Sequence, residues 1–406
     1  MSTPTRRALL AGVMTAAVAA ATFSGAHAAD TPGVTASEIR IGATASLSGP
    51  VSALGTQTRT QEAFFKMIND RGGIAGRKIN FIFYDDGFSP PRTVEQTRRL
   101  LESDQVAFLF SNIGTAPNSA IVKYVNARKV PHLFITVNGD KWGDHKAHPW
   151  TMGFPPSGRA EARIFTRDAL KRHPDGKIAV LYQNDDYGKD YLAGVRDVLG
   201  ADFDSRAVIA PYEVADATVD SQIINLRQSG AASLISGATA KFAAQAIRKL
   251  HDINWKPTHY ISNGSASIAG VLLPAGVEAS KDVIATAYLK DPTDPEWADD
   301  AAVKDYLAFM KQYYPAANLQ DAFNTYAYTV SQVLMTVLER CNGDFSRENI
   351  MKQATSLDGV AIPMLLPGIT VRTSPTDYHP IEQLQLQSFD GKGWKRFGAI
   401  IDGSGR

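Results

Sequence analysis

Three short turns rich in hydroxyls and glycine are the places where this 406-residue chain could hold a small anion. They are Ser46-Leu47-Ser48-Gly49-Pro50 with Leu54-Gly55, Ser111-Asn112-Ile113-Gly114-Thr115, and Thr136-Val137-Asn138-Gly139-Asp140. Each follows a strand-like run. Free amides at a helix start, reinforced by the helix dipole, favour a carboxylate or phosphate there. One such turn is explained equally well as an ordinary N-cap, but three at neighbouring strand ends point to a shared anion pocket. A second set has the same character: Gln183-Asn184-Asp185-Asp186-Tyr187-Gly188, Gly237-Ala238-Thr239, and Ser262-Asn263-Gly264-Ser265-Ala266-Ser267.

Other chemistries are poorly served. Gly264-Ser265-Ala266-Ser267 lacks the G-x-S-x-G elbow, and no His–Asp pair can be assigned to it, so no catalytic residue is expected. His145-Lys146-Ala147-His148 brings no third ligand, so no metal is expected. Gly72-Gly73-Ile74-Ala75-Gly76 follows a helix rather than a strand, which makes it a helix stop and not a dinucleotide loop; no cofactor is expected. Asp85-Asp86 and Asp185-Asp186 are candidate acid–base pairs whose commoner role is at solvated loop ends.

The elements around these turns alternate in type. Strand-like runs at 39–43, 79–84, 106–110 and 132–135 are separated by helical patterns at 57–69, 93–101 and 119–127. An irregular stretch from Thr136 to Gly158 interrupts the pattern. A helix near Arg159 then leads into strands at 178–182, 233–236 and 259–262, with helices at 189–199, 219–228 and 240–250. Such alternation predicts parallel sheets with helical crossovers, and two series predict two Rossmann-like α/β lobes. Two helices follow at about 301–313 and 322–341, and Asp390-Gly391 predicts a late hairpin.

The N-terminus reads as an export signal: Arg6-Arg7, an apolar run from Ala8 to about Phe23, then Ala26-His27-Ala28 with Ala29 as the mature start. The run is too short to span a bilayer, which needs about 20 apolar residues. The net charge of +1 becomes −1 when the two arginines are removed. That near-neutrality leaves no electrostatic footprint for nucleic acid. The single cysteine, Cys341, forbids an internal disulfide. A soluble, exported, monomeric protein is expected.

Ser48-Gly49-Pro50 with Gly55, Ile68-Asn69 with Gly72-Gly73-Ile74 and Gly76, Tyr84-Asp85-Asp86, Tyr187-Gly188 and Leu366-Pro367-Gly368 together resemble the leucine/isoleucine/valine-binding protein family. The resemblance covers nearly the whole mature chain. It implies a type I periplasmic binding protein whose lobes close on a solute and deliver it to an ABC transporter permease. It also implies a three-segment hinge, with a signal at 1–28, lobe 1 at 29–153 and 290–378, and lobe 2 at 154–289 and 379–406. The carboxylate-holding positions carry over to Thr115 and the Val137–Asp140 turn, and the cleft tyrosine of lobe 2 to Tyr187. Leu54 and Thr239 stand where family aromatics often sit.

Ser48, Leu54, Phe88, Gly114, Thr115, Val137, Asn138 and Asp140 are therefore the expected ligand residues on one side of the cleft. Tyr187, Thr239, Asn263 and Ser265 are those on the other. Amino-acid binders of this family place an acid after the last lobe-2 strand, and the Ser262–Ser265 run has none. A small carboxylate without an α-amino group is the favoured ligand. Phe88, Trp142, Phe154 and Tyr326 suggest an aromatic acid such as a benzoate or hydroxycinnamate. The closing stretch, residues 366–378, also resembles the family branch whose members include aromatic-acid receptors. The alternatives are a branched-chain or other amino acid on the same fold, a ligand sensor for a signalling receptor, and an extracellular hydrolase.

Overall fold

A computed structural model describes Met1, residues 31–49 and residues 51–404. The expected export signal lies outside the described residues. Sheet one is built from β1 (Glu38–Ala45), β2 (Lys78–Asp85), β3 (Phe108–Phe110), β4 (His132–Ile135) and β5 (Thr151–Gly153). Its order is β2-β1-β3-β4-β5, and every pairing is parallel. The crossovers are α1 (Gly55–Asp70), α2 (Pro90–Arg98) and α3 (Thr115–Ala127). Pro90 and Pro91 sit in the first turn of α2, where a missing N–H costs nothing.

Sheet two follows α4 (Gly158–Arg172). It comprises β6 (Ile178–Gln183), β7 (Ala207–Tyr212), β8 (Ser233–Gly237), β9 (Thr258–Ile261), β10 (Ile284–Ala287), β11 (Gln383–Phe389) and β12 (Trp394–Asp402). The order is β12-β11-β10-β9-β8-β6-β7. The pairings are parallel from β7 to β10 and antiparallel across β10-β11 and β11-β12. The β11–β12 hairpin turns at the predicted Asp390-Gly391. Helices α5 (Asp186–Leu199), α6 (Phe203–Arg206), α7 (Asp220–Gln228), α8 (Ala240–Asp252), α9 (Leu273–Ala275) and α10 (Val277–Ser280) connect its strands.

Between β10 and β11 the chain forms α11 (Ala301–Tyr313), α12 (Ala322–Arg340) and α13 (Arg347–Ala354). These return to the face of sheet one: the Phe64 ring of α1 packs edge-on against Phe309 of α11 at 6.0 Å and Tyr328 of α12 at 5.4 Å. The chain thus passes between the two sheets after β5, after β10 and again before β11. In each sheet the order reverses at one point, between β1 and β3 and between β6 and β8. Ligands of open α/β sheets bind beyond the strand ends at such reversals.

Seven of these elements are absent from the periodicity reading, among them the short helices α6, α9 and α10 of three or four residues. β7 is absent from it because the strand is short, half-exposed and contains Pro211; as an edge strand it tolerates that proline. β5 and β10, of three and four residues, are too short to show a period. α13 lies in a polar stretch whose few apolar residues mark no clear face.

Candidate functional site

The strand ends of both sheets open onto one cavity of about 400 Å³. From the first sheet's side it is lined by Leu54, Phe88, Gly114, Thr115, Val137 and Asn138, and from the second by Tyr187, Thr239, Asn263 and Ser265. Ten of the twelve expected ligand residues therefore share one surface. Ser48 and Asp140 are not on it.

Ser48 is committed to the loop itself. Its Oγ donates to Asp85 Oδ2 at 2.6 Å, and the N–H groups of Leu47 and Ser48 donate to Asp85 Oδ1 at 2.9 and 3.2 Å. Asp86 is fully buried and accepts from Phe88 N–H at 2.8 Å, Thr93 Oγ1 at 2.9 Å and Ser46 Oγ at 3.3 Å. This acid pair clasps two loops. The clasp holds Phe88 in the left-handed region, at φ +59°, with its ring over Gly114.

Behind the first sheet's loops runs a polar chain. Gln57 Nε2 donates to Ser111 Oγ at 2.9 Å and Thr136 Oγ1 at 2.7 Å, and Thr136 Oγ1 meets Tyr326 OH at 3.2 Å. Tyr326 and Phe323 reach the cavity from α12, as does Tyr288 from beyond β10. The first-turn amides of α3, at Thr115 and Ala116, have no acceptor within their helix, and Thr115 lines this surface. Trp142, an expected cleft aromatic, is instead buried against Val122, Ile135 and Val137. Phe154 is likewise core, packed on Phe134 and Tyr326 at 5.8 Å each.

On the second sheet's side, hydroxyls are spent on backbone. Tyr187 OH and Ser265 Oγ donate to Ala238 O at 3.3 and 2.6 Å, leaving the Tyr187 ring as wall. Thr239 N–H donates to Tyr212 OH at 3.0 Å. The Ser262–Ser265 turn carries no acid, but one lies beneath it: Glu161 of α4, fully buried, accepts the Asn263 N–H at 3.1 Å. Sequence reading missed Glu161 because a glutamate inside a helical pattern looks solvent-facing.

Asp140 lies at a seam between the sheets. Its N–H donates to Asp190 Oδ2 at 2.7 Å, and its carboxylate meets Arg159 at 3.5 Å. The next residue, Lys141, pairs with Asp186 of α5 and donates to Ser119 Oγ at 2.8 Å. Burial pushes the Asp190 carboxyl up to about 7; the charges of Asp140 and Asp186 add to this, and the Asp140 N–H and Arg159 oppose it.

An unfolded chain releases this proton near pH 4, whereas the folded one keeps it until about 7. The group's stabilisation is therefore present at low pH and lost as pH rises through that window. Asp190→Asn removes the titration and keeps an acceptor for Asp140. Melting curves are expected to show the native Tm falling relative to that of the variant between about pH 4 and 7. Parallel curves would rule Asp190 out as the titrating group.

Among the described residues no helix is long and apolar enough to cross a membrane. Residues 38–393 match a family model described as periplasmic binding protein. The chain is 24% identical over 375 residues to the Leu/Ile/Val-binding protein homolog 3 of Brucella melitensis, covering 88% of this chain and 91% of that one. Two solved structures share the fold. A branched chain amino acid ABC transporter protein from Thermus thermophilus with bound valine has TM-score 0.80 at 13% identity, covering 92% of this chain and 98% of the other. A fatty acid ABC transporter substrate-binding protein from Thermomonospora curvata has TM-score 0.77 at 17% identity, covering 92% and 95%.

Proposed function

This chain belongs to the periplasmic binding protein family, and from that premise we propose that it is the exported solute receptor of an ABC importer, taking a small aromatic carboxylate between its two sheets. The carrying observation is the cavity wall. Phe88, Tyr187, Tyr288, Phe323 and Tyr326 supply ring surface, and the α3 amides supply an anion-binding end. Its two lysines are occupied: Lys290 pairs with Asp300 at 2.7 Å, and Lys241 donates to Asp216 O at 3.0 Å. Asp291, the one acid among the lining residues, takes the N–H and Oγ1 of Thr293 at 2.8 and 2.7 Å, both on Oδ1.

In this reading lobe 1 is 29–153 with 290–378, and lobe 2 is 154–289 with 379–406. Closure brings the α3 end and the Tyr187 wall together on the solute and presents that shape to a permease. Turnover has no support in the cavity. Ser236 Oγ does meet His259 Nε2 at 2.8 Å, but both are buried in sheet two and neither lines the cavity. Burial pushes the His259 imidazole down to about 3, so it stays neutral.

A second reading, branched-chain amino acid binding, is favoured by the names of the relatives. A thermal-shift screen over amino acids, fatty acids and aromatic acids separates the two. A ligand at 100 times its Kd adds about 2.7 kcal/mol, and the shift is expected from aromatic acids. A shift from leucine or valine alone would replace this proposal with the second reading.

A further inference from the structure

The cavity is larger than a one-ring acid needs. Its volume is about 400 Å³, whereas an apolar cavity of about 150 Å³ takes a benzene ring. Closure has little of this left to remove, because the two sides already meet. On one flank Asp140 N–H donates to Asp190 Oδ2 at 2.7 Å and Lys141 pairs with Asp186. On the other, Ser267 Oγ donates to Asp321 Oδ1 at 3.3 Å, and Ala269 N–H reaches Gln320 O at 3.5 Å.

The start of α12 gives the cavity its length. Tyr326 stands at the α3 end, with its OH 3.2 Å from Thr136 Oγ1. Asp321, the N-cap of the same helix, meets Ser267 about 7.5 Å farther along the axis, at roughly 1.5 Å per residue. The turn and the loop that meet there bring Ala266, Ile268, Leu319 and Phe323 to the lining, and Leu289 and Pro292 extend it. Polar groups at this end serve the protein. Trp394 Nε1 donates to Ala266 O at 3.0 Å, Ser267 Oγ accepts Gly270 N–H at 3.0 Å, and Asp321 Oδ1 accepts Phe323 N–H at 3.1 Å. Leu319 is exposed despite its size, so a solute that reached it would remove apolar surface from water.

We infer that the 266–270 and 319–323 segments form a second, apolar compartment for the far end of the solute, so that the protein selects aromatic carboxylates bearing an apolar tail opposite the carboxylate. The inference rests on the carboxylate reading above and narrows its ligand class. It assigns the α3 end to the anion and the Ser267–Asp321 end to the tail.

Calorimetry with benzoate and 4-butylbenzoate is the test. The native protein is expected to prefer the butyl acid by about 100-fold, as burial of its four added carbons requires. Leu319→Asp places a charge in the wall of the compartment, and should cut that preference by about tenfold or more while benzoate binds as before. Leu319→Ser, a milder change at the same exposed position, serves if the Asp variant does not fold. Equal native affinity for the two acids, an unchanged preference in the variants, or an equal loss of both acids overturns the inference. If neither acid binds, the carboxylate reading fails separately. The neutral two-ring fluorophore N-phenyl-1-naphthylamine then decides on the compartment: brightening with the native protein that Leu319→Asp abolishes supports it, and no brightening, or the same brightening in both, refutes it.

Discussion

Gly114→Ala is expected to cost this protein its ligand, with affinity falling about 100-fold or more while the chain still folds. Two effects converge on one added methyl. Gly114 sits at φ +92°, where a side chain is strained, and a Cβ there would come within 2.2 Å of Phe88 Cε2. Phe88 cannot easily retreat, because Asp86 holds its N–H at 2.8 Å and its backbone is already left-handed. Gly114 must then move, and it is the residue that starts α3. Its O accepts from Asn118 N–H at 3.1 Å and its N–H donates to Thr136 O at 3.2 Å, so both cavity-lining turns move with it. Calorimetry gives the affinity and circular dichroism the fold. The strain itself should cost about 1–3 kcal/mol. A variant with native affinity would remove the α3 turn from the binding surface.

The largest loss of stability is expected from Phe64→Ala, about 3–5 kcal/mol. Phe64 is almost fully buried and meets Phe65, Phe309 and Tyr328 edge-on at 5.9, 6.0 and 5.4 Å. Its partners on α11 and α12 follow it by more than two hundred residues, so this contact ties the late helices to sheet one. Because α12 also carries Phe323 and Tyr326 to the cavity, the variant should bind more weakly as well. Urea unfolding followed by fluorescence is the check, with the midpoint falling and a separate early transition of the α11–α12 region. A native midpoint would mean that the late helices are held elsewhere.

The same contact shows what a sequence can and cannot disclose. The alternating elements were legible because buried strands and amphipathic helices carry their own periods, and the strand-end turns were legible because glycine and hydroxyl residues cluster there. Ten expected residues meet in the cavity for that reason. Ser48 and Asp140 belong to the same turns, yet one closes its own loop and the other faces a seam. Their direction depends on Asp85 and Asp190, which lie far along the chain. Tyr288, Phe323 and Trp394 reach the cavity from segments whose placement follows from the chain's passages between the sheets. Trp142 has the composition of a cleft aromatic and the packing of a core one. Glu161 was the least legible: its burial depends on the donors that surround it, not on its own spacing.

Calorimetric titration of the native protein with an aromatic acid and, separately, with leucine tests the central claim most directly. The account predicts one aromatic acid bound per chain, with leucine weaker by roughly two decades or more, as a desolvated and unpaired ammonium requires. Tight leucine binding with no heat from any aromatic acid would contradict it.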